Sequence, residues 1–226
     1  MTENLSYIES HFLEWAEVCK RAGISSQALA QLIADQAIPK PSYTVAIHVE
    51  ISSPLPDSAL EKRTKKYFPK SIVELIEEAR ADARSAREKF KSTLYEKLNN
   101  NADKSYAYTD LLDSNGAIDP LRFEAYFEEK WAYYIDGVYG ICTRHMRPDE
   151  IVRKGIAVNK LTEFDAAHQG RPVDAVQRAR LQAIDAAYNE VATDFAPYQR
   201  HKSSRGKLDE TLKKYGLVDL IKTGTE

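Results

Sequence analysis

The chain has 226 residues, 32 of them Lys or Arg against 34 Asp or Glu, for a formal charge of -2 and a sequence pI near 6.3. That balance excludes a global positive field of the kind that gathers nucleic acid or anionic lipid, so any such binding has to be local. With 43% hydrophobic and 29% charged residues, the composition is that of a globular protein long enough for one core, or for a small domain beside a larger one.

Ser6 and Glu9 form an S-x-x-E capping box. Ile8, Phe12, Trp15 and Cys19 then recur every three or four residues up to Gly23, which predicts a first amphipathic helix. Ser25 caps a short second helix with Leu29, Leu32 and Ile33 as its buried stripe, and Pro39 and Pro41 stop it. From Tyr43 to Ser52 the period becomes two, with Tyr43, Val45, Ile47, Val49 and Ile51 on one side, the pattern of a strand. A lone strand leaves backbone groups unpaired, so it needs a partner strand, and a second copy across a homodimer is one solution. Residues 52–70 hold three prolines and a cation cluster and read as a connection. This places a domain boundary between residues 1–60 and 61–226.

Ser71 and Glu74 make another capping box, and Ile76, Ala79, Ala83, Ala86, Phe90, Leu94 and Leu98 predict one continuous helix ending at the asparagines 99–101. At 1.5 Å per residue it would be about 40 Å long. Asp119 and Pro120 open the next helix, whose buried face is Phe123, Phe127, Trp131, Ile135, Val138 and Cys142. Further helices follow from Pro148 to Gly170, from Val176 through Ala179, Ala183, Ala187 and Val191 to Pro197, and around Leu208, Leu212 and Tyr215. Apolar stripes on long helices with short connections cover one another as an antiparallel bundle. The predicted fold is mainly α: an antiparallel helical bundle preceded by a small helix-turn-helix-like domain with one short β-strand or hairpin.

Helix, turn, short helix and a strand able to act as a wing resemble the excisionase-like and MerR-like winged helix-turn-helix pattern. A reading helix draws most of its affinity from Lys and Arg on phosphates, and residues 25–36 contain neither. Residues 1–60 carry Lys20, Arg21 and Lys40 against Glu3, Glu9, Glu14, Glu17, Asp35, Glu50 and Asp57, a net of -4. Gln27, Gln31 and Gln36 discriminate bases weakly without phosphate anchors. The charge therefore argues against nucleic acid as a partner. Cations cluster instead in KRTKKYFPK (62–70) and RHKSSRGK (200–207). Such runs are commonly solvated faces, and would hold a phosphate-bearing ligand only if folded together.

Residues 123–150, FEAYFEEKWAYYIDGVYGICTRHMRPDE, carry more aromatic rings than one helix face can bury. Gly137 and Gly140 inside the run suggest a bend or a close helix crossing. A bent aromatic helix makes a pocket wall, and Trp131, Tyr134, Asp136, Tyr139 and His145 are its expected ligand-binding residues. The competing reading is that these rings are half-buried in the bundle. Cys142 and His145 would be neighbours on a continuing helix, but no third residue orients them as a nucleophile and base. Glu124, Glu128 and the Asp165–His168 pair mimic half of a bundle di-iron site, so no metal is expected. The common nucleotide-binding and hydrolase motifs are missing from the sequence, and no cofactor or catalytic residue is assignable. Two cysteines without C-x-x-C spacing, no signal-like start and no apolar run long enough to cross a bilayer suggest a cytoplasmic protein.

Three stretches, LIADQAIPKPSYTV (32–45), WAYYIDGVYGIC (131–142) and RPDEIVRKG (147–155), resemble an uncharacterised bacterial family labelled natural-product biosynthesis. Gln36 and Ala37 stand where that family's pattern calls for a glycine before the I-P-K-P turn. The resemblance implies a context, specialised metabolism, and no residue roles. The expected function is an accessory or tailoring protein binding a small or carrier-linked intermediate in the bundle. The alternatives are a DNA-binding transcriptional regulator and a structural dimerisation module.

Overall fold

A computed structural model describes residues 2–55, 57–81 and 85–222. The N-terminal elements are α1 (Glu3–His11), β1 (Phe12–Glu14), α2 (Trp15–Ala22), α3 (Ser26–Ala34), β2 (Tyr43–Ser52) and β3 (Ser58–Pro69). The rest is helical: α4 (Ile72–Ala81), α5 (Ala86–Asn99), α6 (Lys104–Ala107), α7 (Pro120–Ile135), α8 (Val138–Cys142), α9 (Pro148–His168), α10 (Ala175–Val191), α11 (Pro197–Arg200) and α12 (Ser204–Lys214). The protein is mainly helical, with one small antiparallel sheet, as the sequence leads one to expect. Among the described residues no helix is long and apolar enough to cross a membrane.

Several sequence expectations are corrected at the N-terminus. The first helix is capped by Thr2, not Ser6, and it stops at His11 because Phe12–Glu14 turn extended and pair antiparallel with Tyr67–Pro69. A second helix then runs to Gly23, whose φ of 61° ends it in the left-handed region. Strand β2 occupies Tyr43–Ser52 as predicted, and its partner is the segment expected as a connection. β3 pairs along the whole of β2, from Tyr43 opposite Tyr67 to Ser52 opposite Ser58, giving the sheet order β1-β3-β2. The dividing line expected between residues 60 and 61 falls within this strand. Pro54, one of the prolines that marked the segment as loop, lies in the hairpin turn, while the Lys-rich run behind it is fully extended. An exposed two-stranded hairpin needs no apolar residues at its solvent-facing positions, so its pattern hid behind its charge.

The helix expected to run from Ser71 through Leu98 is two helices. Ala83 of its expected stripe lies outside the described residues. Ser85 is extended (φ -62°, ψ 142°) and starts α5 with a capping box to Glu88, an S-x-x-E signal that the apolar periodicity overrode. In α10 the buried residues are Leu181, Ile184, Asp185, Tyr188 and Val191, while Ala179, Ala183 and Ala187 of the predicted stripe are exposed. Alanine buries too little area to set a helix's phase against Leu, Ile and Tyr. That helix also ends at Val191, short of Pro197.

One core runs from Leu13, Val18, Leu29 and Phe68 of the N-terminal elements through Ile72, Ile76, Phe90, Leu94 and Phe127 to Trp131 and Ile156. A second lies between α9, α10 and α12, around Leu161, Phe164, Leu181, Tyr188, Leu208 and Leu212. Helix α9 belongs to both and packs against α5, α10, α6 and α12. The I-P-K-P turn and the α7–α8 corner, two of the three stretches quoted for the family resemblance, meet in space. The Lys40 amide donates to the Ile135 carbonyl at 2.8 Å, and Ser42 Oγ donates to the Gly137 carbonyl at 2.8 Å.

Candidate functional site

The five residues expected to line one aromatic pocket do not converge. Trp131 and Tyr134 are 5% and 6% exposed and stack on each other at 5.4 Å, with Phe90 packed against both rings. They are core that reaches the surface along an open groove of about 860 Å³. Burial pushes the Tyr134 and Tyr139 phenols well above their ordinary range. Asp136 is exposed in an ion pair with Lys40 at 2.8 Å, and neither it nor Tyr139 lines that groove. His145 borders a different cavity. It does not share a helix with Cys142, because α8 ends there and Thr143 turns extended.

The residues with metal-like spacing are committed elsewhere. Glu124 and Glu128 pair with Lys91 and Arg87. Asp165 holds Lys214 at 2.7 Å, and His168 Nδ1 meets the Phe164 carbonyl at 2.7 Å. The two basic runs also serve separate ends, with Arg200 and Arg205 turned inward on carboxylates and the 62–66 cations spread along the hairpin.

The cavity that His145 borders has a volume of about 1070 Å³ and lies where the N-terminal elements meet the bundle. Tyr7 and His11 of α1 form one side, and Lys70, Ser71 and Glu74 at the β3–α4 junction form another. Thr143, Arg144 and His145 follow α8, Asp185 and Asn189 come from the end of α10, and Asp219–Lys222 close the far side. The fold puts them there because β3 hands over to α4 at Ser71, while Gly140 lets α8 approach Pro69 at the end of β3 closely and Gly137 lets the α7–α8 corner meet the Lys40–Pro41 backbone.

His145 is oriented from behind. Its Nδ1 is 2.7 Å from Oε1 of Glu150, and its backbone N–H donates to the same carboxylate's Oε2 at 2.8 Å. Glu150 is 5% exposed and sits in the first turn of α9, where the helix dipole favours an anion. An imidazole fixed by a buried carboxylate at a cavity wall is suited to proton transfer or to holding an anionic or hydroxyl group.

Two buried polar atoms on this cavity lack hydrogen-bond partners. Ser71 is 6% exposed and Asp185 7%, and neither Ser71 Oγ nor Asp185 Oδ1 has a hydrogen-bond partner among the described residues. Burial raises the Asp185 carboxyl above its ordinary value, against the pull of Arg205 and the Asn189 side chain. Sequence reasoning missed both, taking Ser71 as a helix cap and passing over Asp185. The available signal was a carboxylate four residues after Leu181 and three before Tyr188, on the face those two bury.

A family model described as a family of unknown function, DUF6058, matches residues 86–216. That stretch runs from the start of α5 to just past α12 and includes the His145, Asp185 and Asn189 walls of the cavity, but not Ser71 or the sheet. No curated protein and no solved structure matches the chain. The match covers more than half of the sequence, and the chain therefore belongs to the DUF6058 family of unknown function.

Proposed function

We propose that this protein binds a small polar molecule in the cavity between its N-terminal sheet and its helical bundle, as an accessory or tailoring protein of bacterial specialised metabolism. One observation carries the reading: Ser71 Oγ and Asp185 Oδ1 are both buried, both without a hydrogen-bond partner among the described residues, and both line one cavity. Buried polar groups are nearly always satisfied, and leaving one unmet costs about 1–3 kcal/mol, so a ligand that supplies the partners is favoured. The volume is of the order that holds a small organic molecule. The biosynthetic context rests on the three stretches quoted for the family resemblance, and a reducing cytoplasm suits the free Cys19 and Cys142. The test is native mass spectrometry of the protein purified from a bacterial host. A mass excess of a few hundred daltons that disappears on denaturation supports the reading, and a bare chain that takes up nothing from host extract removes it.

A second reading, binding of duplex DNA, is favoured by the hairpin. The order α1-β1-α2-α3-β2-β3, with a three-residue turn at Gly23 between α2 and α3, is that of winged helix-turn-helix modules. Extending the count through β3 to residue 70 brings the module to eight Lys and Arg against eight Asp and Glu, which lifts the charge objection. Residues directly opposite in the ladder share a face, so His48 and Lys62 lie with Thr44 and Lys66, and Lys66 reaches over Trp15, whose indole donates to Ser26 at the start of α3. Retardation of duplex DNA that weakens with salt and is lost in the Lys62→Glu, Lys66→Glu double variant supports this reading, and no retardation at low salt rejects it.

A further inference from the structure

The polar cluster behind the cavity leaves one carboxylate oxygen, Asp185 Oδ1, without a hydrogen bond. Arg200 grips Asp209 with two hydrogen bonds, at 2.7 and 3.1 Å. Arg205, 1% exposed, donates to Asn189 Oδ1 at 2.6 Å, pairs with Asp194 at 3.4 Å and lies over the Tyr188 ring. Each guanidinium thus has its own carboxylate, and Asp185 is the third carboxylate, supported by the Asn189 side chain alone at hydrogen-bond range. Lys222 faces the same cavity and attracts Asp185 without satisfying Oδ1. Leaving a buried carboxylate oxygen without a hydrogen bond is costly, and a charged N–H donor from a ligand bonds it more strongly than a neutral one. The β3–α4 side of the cavity offers a hydroxyl, Ser71 Oγ, that has no partner among the described residues and can accept from or donate to a second polar group.

Building on the small-molecule reading above, we propose that the ligand of this cavity carries a basic amine or amidine, which seats as a cation against Oδ1 of Asp185. Ser71 meets a hydroxyl or carbonyl elsewhere on the same molecule. The recognised class is then an amine-bearing small molecule, such as a polyamine, an amino sugar or an amino-acid derivative, rather than a phosphate ester or a carboxylate.

The test is thermal unfolding of the full chain with three sets of probes: amines (agmatine and spermidine), carboxylates (succinate and citrate) and a neutral polyol (glucose). At tenfold the Kd, a ligand favours the folded state by a factor of about eleven, read in a chain of this size as a Tm rise of roughly 3–6 °C. The expected result is that an amine raises Tm, that carboxylates and glucose do not, and that Asp185→Asn abolishes the rise. Should Asp185→Asn fold poorly, Ser71→Ala provides the second variant, because its hydroxyl has no partner to lose, and it weakens the amine's effect. A carboxylate or glucose shift with no amine shift overturns the amine assignment and leaves the small-molecule reading standing. No shift with any probe, together with a bare chain in native mass spectrometry, overturns both.

Discussion

Glu150 holds His145 by two bonds, one to the imidazole Nδ1 at 2.7 Å and one to the backbone N–H at 2.8 Å, and its Oε2 also lies 3.5 Å from the Arg147 N–H. One buried carboxylate therefore fixes a cavity side chain and starts the helix that both cores share. Glu150→Ala leaves half-buried donors without their acceptor and removes the charge at the N-terminus of α9, and is expected to lose about 1–2 kcal/mol of stability. Glu150→Gln keeps an acceptor and is expected to lose less. Urea unfolding of the three proteins checks the order. If Glu150→Ala unfolds at the wild-type midpoint, the pair is a surface ornament.

The corner between α7 and α8 is built on a backbone approach that tolerates no side chain. Gly137 has φ 75°, and a Cβ there would stand 2.5 Å from the Lys40 carbonyl oxygen, a backbone atom that cannot swing aside. Gly137→Ala combines left-handed strain with that clash, so a loss of about 2–4 kcal/mol is expected. Because the corner also sets the wall containing His145, any ligand affinity should fall together with stability. Calorimetric melting of the variant measures the first, and titration with a bound ligand the second.

Gln36 makes the converse case. It holds φ 55°, in the left-handed region that favours glycine. Glycine relieves the strain on the folded side and adds entropy on the unfolded side, two terms of similar size. Gln36→Gly is accordingly expected to be neutral or stabilising by up to about 1 kcal/mol, unlike most glycine substitutions. A loss greater than that in chemical denaturation would mean that the Gln36 side chain contributes contacts of its own.

Elements with strong punctuation were legible in the sequence: Asp119-Pro120 opens α7, Pro148 opens α9, and the period-two run marks β2 to its ends. What stayed hidden depended on long-range pairing or on weak side chains. β1 is three residues of Phe-Leu-Glu that sit inside a helical period and become extended only because β3 is there to receive them. β3 reads as a charged loop until β2 pairs with it. The phase of α10 was lost to alanines, and with it the burial of Asp185. Of the expected site, His145 lies at a cavity other than the aromatic groove, while Trp131, Tyr134 and Tyr139 are core rings. Composition flags aromatic abundance, but only packing decides whether a ring lines a space or fills one.

Two aspartates should give the pH dependence of stability opposite slopes. Asp165 is held below its ordinary range, first by the hydrogen bond from Lys214 and then by that from Tyr215. A lowered carboxylate stabilises the fold above its unfolded value, and that contribution is lost as pH falls through the folded value. Asp165→Asn should therefore be less stable than wild type near neutrality, and the gap should close in acid. Asp185 is shifted the other way, raised first by burial. A raised carboxylate carries its full stability only below its unfolded value, near 3.8, and loses it as pH rises through the folded value. Asp185→Asn should then be as stable as wild type or more so at neutral pH, the difference shrinking toward pH 4. Guanidinium unfolding of both variants across pH 4–8 reads the two slopes in one experiment. If Asp185→Asn loses stability at neutral pH, the attraction of Arg205 and Lys222 outweighs the cost of burying the carboxylate. In that case the amine assignment fails.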